Sequence, residues 1–545
     1  MSKVAHYLQE HLLGEVMTSA DARAYFSTDG SIFTLTPSII VYPRNENDVR
    51  KTARFSWQLA ERGRIIPITP RGSGTSQSGA ALGEGIMLVF PAHMNRIIEL
   101  DPKNGVVVIE PGLNYGRLEQ TLNTHERFLP PYPSTYQYST VGGAIANNTG
   151  GEKSHKYGVT RDYVKSLRVV LANGEVIETA RLNKRDLNKK LGLTTFEGEI
   201  YRALDTLIEE NRDTVDGLRV GVSKNAAGYA LAEVKLADGS FDLTPLFVGS
   251  QGTLGIITEA TLETEVYNPE TTLFLAEFDD ISQAEKAVLQ LRGLSALPSA
   301  IELIDGNLLQ LIERLNPNLL KGSLQTQSPK IVLLVEFDDP NERQRKKLVK
   351  AAQKILSTHA QHVEQTVEPT VQEKYWKIRQ ASANVIAHTE GQLKAVPIIE
   401  DGIVPPEKLE EFIASIYKIF AASQLQVAVW GHAGDGNLHV QPFLDLAQVG
   451  DRQKAFRLMD EYYDLVTRLG GSISAEHGDG RLRAPYLERQ VGVEGYAVLQ
   501  KVKQIFDPYG TLNPGVKVNV TLDDIKPLVR SSYTLGHFYD HMPRS

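Results

Sequence analysis

The stretch "VAVWGHAGDGNLHVQPF", Val427 to Phe443, sets two imidazoles, His432 and His439, on either side of a Gly-Asp-Gly segment. If its flanks are strands and Ala-Gly-Asp-Gly-Asn is the turn, both rings converge from adjacent strands. Two such histidines and one carboxylate make a site for a first-row divalent metal with open positions. The segment "SISAEHGDGRLRAPYL" offers the carboxylate, Glu476, and beside it a third imidazole, His477. Both Gly-Asp-Gly segments would also suit plain turns, with the histidines as hydrogen-bonded core groups; the Ala-Glu-His-Gly run in the same section favours the metal. Nitrogen and oxygen donors suit Zn, Mn, Fe or Co alike.

A second chemistry is written in glycine and hydroxyl residues. "PRGSGTSQSG", Pro70 to Gly79, lacks the lysine of a P-loop and has Gln77 where a Rossmann turn needs its third glycine. The following "AALGEGIMLVF" is too short and glycine-broken for a long helix, so the unit reads as strand–loop–strand, a nest of backbone N–H groups that can face a pyrophosphate. Alone, such a loop would equally suit a solvated surface. Two more accompany it: "YPSTYQYSTVGGAIANNTGG", Tyr132 to Gly151, with Tyr157–Gly158 shortly after, and "FVGSQGTLGIITEATL", Phe247 to Leu262.

The elements that must position these groups fall into sections. Residues 1–36 read as a helical arm. From 37 to 267 the pattern mixes strand and helix: "SIIVYP", "RIIPIT", "GIMLVF" and "GVVVIEP" as strands, "NENDVRKTARFSWQLAERG" as a helix opening on Asn/Asp and closing on Gly63, and "VVLANGEVIET" as a hairpin whose Asn173–Gly174 suits a type I′ turn. Residues 268–518 begin with a repeat, "TTLFLAEFDDISQAEKAVLQLRG" and "KIVLLVEFDDPNERQRKKLVKAAQKIL", aligning Glu277 with Glu336 and Phe278 with Phe337. Repeated strand–helix units predict an α+β, ferredoxin-like antiparallel sheet with helices on one face. The Gly/His/Asp-rich part from Val427 ends in "FDPYGTLNPGVKV" and is expected to pack back on the first lobe or to lie between the two. Residues 519–545 carry no clear signal.

Composition excludes much else. The chain has 545 residues, 41% hydrophobic and 23% charged, with a net charge of −8, so no polyanion-binding surface and no nucleic-acid role are expected. No apolar run approaches the roughly 20 residues of a membrane helix, and the start, "MSKVAHYLQEHLLGE", has no signal-peptide pattern. A cytoplasmic location, free or peripheral at a membrane, is the expectation. There is no cysteine, which excludes disulfides, thiolate zinc, cysteine nucleophiles and an iron–sulfur cluster in this sequence.

The order and spacing of the three glycine-rich motifs resemble the FAD-binding domain of the vanillyl-alcohol-oxidase flavoproteins, the PCMH-type fold, over about residues 37–267. The resemblance implies a two-subdomain FAD domain. Its diphosphate loop would use Pro70, Arg71, Gly72, Ser73, Gly74, Thr75, Ser76, Ser78 and Gly79. Pro133, Ser134, Thr140, Gly142, Gly143, Asn147, Thr149, Gly150, Tyr157 and Gly158 would run beside the ribityl chain and ring. Gly252, Gly255 and Ile257 would close the site. No His, Cys or Tyr stands at the centre of the first loop, so non-covalent FAD is expected.

The patterns G-H-x-G-D-G-N-x-H, A-E-H-G-x-G and L-N-P are further similar to the FAD-linked D-2-hydroxy-acid dehydrogenase branch, which includes D-lactate and D-2-hydroxyglutarate dehydrogenases and the glycolate oxidase flavin subunit. That similarity implies His432, His439 and Glu476 as metal ligands, His477 as general base, Arg379 of Trp376-x-x-Arg379 as the grip on the substrate carboxylate, Gln441 as a substrate contact, and Asn513 near the flavin. Arg483, and after it Arg481, are further candidates for the carboxylate. Oxidation would move the C2 hydrogen to flavin N5 as a hydride while metal and His477 take charge of the hydroxyl proton.

Two positions depart from the branch. Where the hydroxyglutarate enzymes place a lysine and a threonine, this chain has Ile399 and Ala383, and Lys394 falls five residues early. A small monocarboxylate, D-lactate, is therefore the expected substrate, with D-2-hydroxyglutarate or glycolate as alternatives. The electron acceptor is expected to be separate: a quinone, an electron-transfer protein, a partner iron–sulfur subunit, or oxygen. A flavin relay subunit of a larger complex, or a metallohydrolase if the loops are only loops, are the competing readings; flavin colour and its bleaching by a hydroxy acid separate them.

Overall fold

The computed structural model describes residues 3–326, 328–387 and 393–533, and only the backbone of 382–387. Ala383 as a side chain, and the tail beyond Tyr533, lie outside the described residues.

The first lobe holds two sheets. In one, Ile39–Tyr42, Ile86–Val89 and Ile68–Arg71 pair in parallel, with the helix Glu46–Ala60 as the crossover from Ile39–Tyr42 to Ile68–Arg71. Asn45 caps that helix by accepting from the Asp48 N–H, as its Asn/Asp start predicts. The arm is not merely helical: Glu15–Met17 adds an antiparallel strand against Ile40–Tyr42, so it belongs to this sheet. Three residues with a single buried position were too short a signal. The second sheet is antiparallel, in the order Ile97–Asp101, Val106–Ile109, Ile256–Glu263, Val164–Val170, Val176–Glu178.

The hairpin at Asn173–Gly174 forms with a different turn. Gly174 alone has positive φ, +82°, and its N–H donates to the Leu171 carbonyl while the Leu171 N–H donates to Glu175. A type I turn followed by left-handed glycine thus replaces type I′, whose two positive φ values Asn173 does not supply.

The second lobe is built on an antiparallel sheet in which His362–Thr366, Thr272–Phe278, Ile331–Phe337, Ala300–Asp305, Val427–His432, Asn437–Leu444 and Lys394–Ala395 follow in order. The two repeat strands lie side by side, and every residue in both is buried. Helices cover both faces rather than one. Phe274, Ala276 and Phe278 pack toward the helices Ile281–Arg292 and Glu342–His359, and Leu273 and Leu275 toward Gly306–Leu315 and Pro369–Ala387. The continuous apolar run "TLFLA" shows this two-sided burial, which alternation would have denied.

The C-terminal section returns to the first lobe. Leu512 bridges Ile68, the Asn513 N–H donates to the Ile68 carbonyl, and Val498, Leu499 and Phe506 enter the first lobe's core.

Candidate active site

The histidines stand where the hairpin directs them. Trp430 pairs with His439 and His432 with Asn437, so the two imidazoles are diagonal neighbours on one face, with Gln441 further along it. Their ring centroids are 5.4 Å apart. The turn between needs glycine at 436: φ is +78°, and a Cβ there would stand 2.1 Å from the Val404 carbonyl oxygen.

Each imidazole is aimed by a buried carboxylate. Glu302 lies opposite His432 on the neighbouring strand; its Oε1 is 2.7 Å from His432 Nδ1, and its Oε2 accepts from Arg379 Nε at 2.7 Å. With Nδ1–H committed to Glu302, Nε2 presents its lone pair to the cavity. There it meets Glu476 Oε1 at 3.1 Å, and His439 Nε2 stands 3.7 Å from the same oxygen. Glu476 cannot swing away: Oε2 accepts from Lys224 Nζ at 2.7 Å and from the Gly151 N–H at 2.9 Å. Three lone-pair atoms converging on one point are repulsive unless a cation or a proton lies between them. Without a metal the protonated solution prevails: burial disfavours the His432 imidazolium, but Glu302 and Glu476 more than offset it and lift its pKa to about 9. Glu476 is held well below the usual carboxylate range, burial being overcome by Lys224 and His432. A divalent metal fits the donor set His432, His439, Glu476, whose ligand atoms all lie within 4.8 Å of one another.

His477 stacks parallel to His439, centroids 5.2 Å apart. Its Nδ1 lies 2.6 Å from Glu400 Oε2, and despite burial that carboxylate raises its pKa to about 9. Asp401 fixes the loop below by accepting from the backbone N–H groups of Glu476 and His477.

These groups and the glycine-rich loops open onto one cavity of about 390 Å³. Of the expected FAD residues, Pro70, Arg71, Gly72, Ser73, Gly74, Thr75, Ser76, Pro133, Ser134, Thr140, Gly142, Gly143, Asn147, Thr149, Gly252, Gly255 and Ile257 line it, with His432, His439, Glu476, His477, Arg379 and Gln441 at the other end. The loops touch closely: a Cβ on Gly72 would stand 2.2 Å from Thr140 Oγ1, which itself caps the helix Val141–Asn147 through the Gly143 N–H.

Other expected contacts lie elsewhere. The Arg71 guanidinium turns from the cavity and donates to the carbonyls of Phe26, Thr28 and Ala81, so its side chain supports the loop from behind. Ser78, Gly79, Gly150, Tyr157, Gly158 and Asn513 do not line the cavity. The Ser78 carbonyl accepts from the Arg481 and Leu482 N–H groups, Tyr157 donates to Asp338, and Asn513 ties Ala80 to Gln251. Gly150 lies behind Glu476, where a Cβ would stand 2.4 Å from its carboxylate. Arg483 is fully buried and donates to Glu400 and the Gly478 carbonyl, while Arg481 donates to Leu82, Pro514 and Gly515; both are spent on structure. Ile399 is buried in the second lobe's core, and Lys394 pairs beside Leu444 without lining the cavity. Sequence reasoning missed Glu302, Glu400, Lys224, Glu152 and Gln251; Glu302 alone left a signal, a lone carboxylate within the apolar "AIELI" strand.

Residues 37–180 match the FAD binding domain family, and residues 268–516 match the C-terminal domain of FAD linked oxidases. The chain is 32% identical over 481 residues to the glycolate oxidase subunit GlcD of Bacillus subtilis, covering 88% of each. It is 30% identical over 456 residues to a D-lactate dehydrogenase of Anaerostipes hadrus, covering 83% of this chain and 84% of that one. With a D-2-hydroxyglutarate dehydrogenase of Escherichia coli it shares 32% identity over 523 residues, 93% of this chain but only 50% of the relative, so the chain spans about half the length of that enzyme. A 4-ethylphenol oxidase from Gulosibacter chungangensis has the same fold at 14% identity, with a TM-score of 0.68 over 96% of this chain and 99% of that one. The chain belongs to the FAD-linked oxidase family of PCMH-type flavoproteins and is an FAD-dependent oxidoreductase.

Proposed function

We propose that the protein oxidises a D-2-hydroxy acid, D-lactate to pyruvate, with non-covalent FAD and a divalent metal. The observation that carries this reading is the shared cavity: the FAD loops line one end, and an imidazole–carboxylate cluster with its own buried supports lines the other. FAD, which the loops around residues 72–76, 140–143 and 252–257 would hold, would supply the acceptor for the C2 hydrogen and its electron pair. A Zn, Mn or Fe ion on His432, His439 and Glu476 would polarise the hydroxyl. His477 is the group placed to take the hydroxyl proton on Nε2 when its ring is neutral; Glu400 holds Nδ1, and its charge keeps the ring largely protonated below about pH 9. Arg379 and Gln441 line the same end and hold the carboxylate, with Arg379 fixed through its Nε on Glu302. Arg483 acts one step back, by keeping Glu400 charged and in place.

Electrons leave to a separate acceptor, a quinone, an electron-transfer protein or an iron–sulfur subunit, and we place the reaction in the cytoplasm, free or peripheral at a membrane. Among the described residues no helix is long and apolar enough to cross one. The test is an anaerobic titration of the purified, metal-loaded protein with D-lactate, L-lactate, D-2-hydroxyglutarate and glycolate, following the visible flavin band. Bleaching by D-lactate in preference to the others is expected; bleaching by none of them would overturn the reading. Acid precipitation should release the flavin into the supernatant, and fractionation should recover the activity without detergent.

A further inference from the structure

Glu152 lies in the wall of the substrate end and has none of the roles assigned above. It is 6% exposed and lines the cavity, yet among the described residues neither of its carboxylate oxygens has a hydrogen-bond partner. Its position is fixed by its neighbours: the Gly151 N–H donates to Glu476, and Lys153 Nζ is paired with Glu336 and Asp338. The charges that act on it most are Arg379, Glu302, His432 and Glu336, which places it at the metal end rather than among the loops.

A ligand with two carboxylates needs a second cation. Among the described residues, the arginines and lysines that line this cavity are Arg71 and Arg379. The first is turned onto backbone carbonyls, and the second is already balanced by Glu302. Lys224 lies behind the wall, shared between Glu476 and Asp435. Burial raises the Glu152 carboxyl to about 7, so above that pH what the site offers a distal carboxylate is a second carboxylate, Glu152, with Glu400 also in the wall.

We propose that Glu152 is a specificity-determining residue that rejects dicarboxylic 2-hydroxy acids by charge, so the site selects acids whose side chain beyond C2 is uncharged. This rests on the hydroxy-acid reading above and names the substrate class within it. Like charges within a few ångströms in a partly dry cavity are repulsive enough to change relative kcat/KM by roughly tenfold or more.

The test compares kcat/KM for D-lactate and D-2-hydroxyglutarate at about pH 8.5, where Glu152 is ionised, read as anaerobic flavin reduction, in the wild type, Glu152→Gln and Glu152→Asp, each with the flavin-to-protein ratio measured. Glu152→Gln preserves shape and removes the charge, and the ratio should move toward the dicarboxylate by roughly tenfold or more. Glu152→Asp keeps the charge and should stay near the wild-type ratio. An unmoved ratio in a flavin-loaded Glu152→Gln protein overturns the proposal, as does an Asp variant that relaxes as far as Gln. If neither acid reduces the wild-type flavin, the hydroxy-acid reading fails instead, so the two failures are told apart.

Discussion

Replacing Lys224 by methionine keeps the apolar stem but deletes the ammonium that stands 2.7 Å from Glu476 Oε2 and 3.6 Å from Asp435 Oδ2. Lys224 and both carboxylates are buried. Removing one member of a buried ion pair costs about 3–5 kcal/mol, since the remaining charge stays out of water. The lower end applies here. Asp435 keeps Ser154 Oγ at 2.8 Å and Ser223 Oγ at 2.7 Å, and Glu476 keeps the Gly151 N–H and His432. A loss of about 3 kcal/mol is expected by urea unfolding of the metal-free protein. The second effect is on the proposed metal site. Lys224 holds Oε2 so that Oε1 faces the histidines, and loss of such an outer support weakens metal binding by about 10- to 100-fold. Metal content after dialysis against a graded chelator series reads this directly. Stability within about 1 kcal/mol of wild type together with unchanged retention of metal would refute the argument that Lys224 aims Glu476.

Other outcomes follow from the same geometry. His477→Gln should retain flavin but slow its anaerobic reduction by D-lactate about 10²- to 10⁴-fold, seen in stopped-flow traces. Arg71→Ala leaves the carbonyls of Phe26, Thr28 and Ala81 without their donor, at about 1–3 kcal/mol for each group left unsatisfied, and should lower the flavin-to-protein ratio after gel filtration. Burial lifts the Asp305 carboxyl to about 7, so the folded chain keeps a proton that the unfolded chain releases from roughly pH 4 upward. Stability from this group therefore declines as pH rises from roughly 4 to 7, and Asp305→Asn should flatten that slope in urea midpoints measured across the window.

Much of the site was legible because its chemistry lies in short runs. Two imidazoles flanking a turn need only His-x-Gly-Asp-Gly-Asn-x-His within a few residues, and backbone nests need glycines at fixed offsets. What could not be read came from strands brought together only by folding. Glu302 meets His432 across a sheet from 130 residues away, and Lys224 meets Glu476 from 252 away. Nothing local marks Lys224 or Glu152 as buried. Arg483 misled for the opposite reason: its nearness in sequence to Glu476 suggested a substrate contact, while the fold spends it on Glu400. In the same way, two-sided helix cover of the second sheet was implied by the unbroken apolar strands, yet the repeat suggested one covered face.

The support behind Arg71 has a consequence for how the protein is made. The loop of residues 70–79 is braced by carbonyls at Phe26 and Thr28, while the strand beneath it is joined by Leu512 and Asn513. Tyr533 lines the cavity and donates to the Gly30 carbonyl, and Arg530 clasps Ser31. Both distant ends of the described chain thus meet at one wall. A nascent chain that has not yet reached residues 512–533 has the loop's sequence but not its buttress. The wall around the loop is accordingly complete only after residue 533 has joined the fold, and the contacts that close it are among those with the greatest sequence separation.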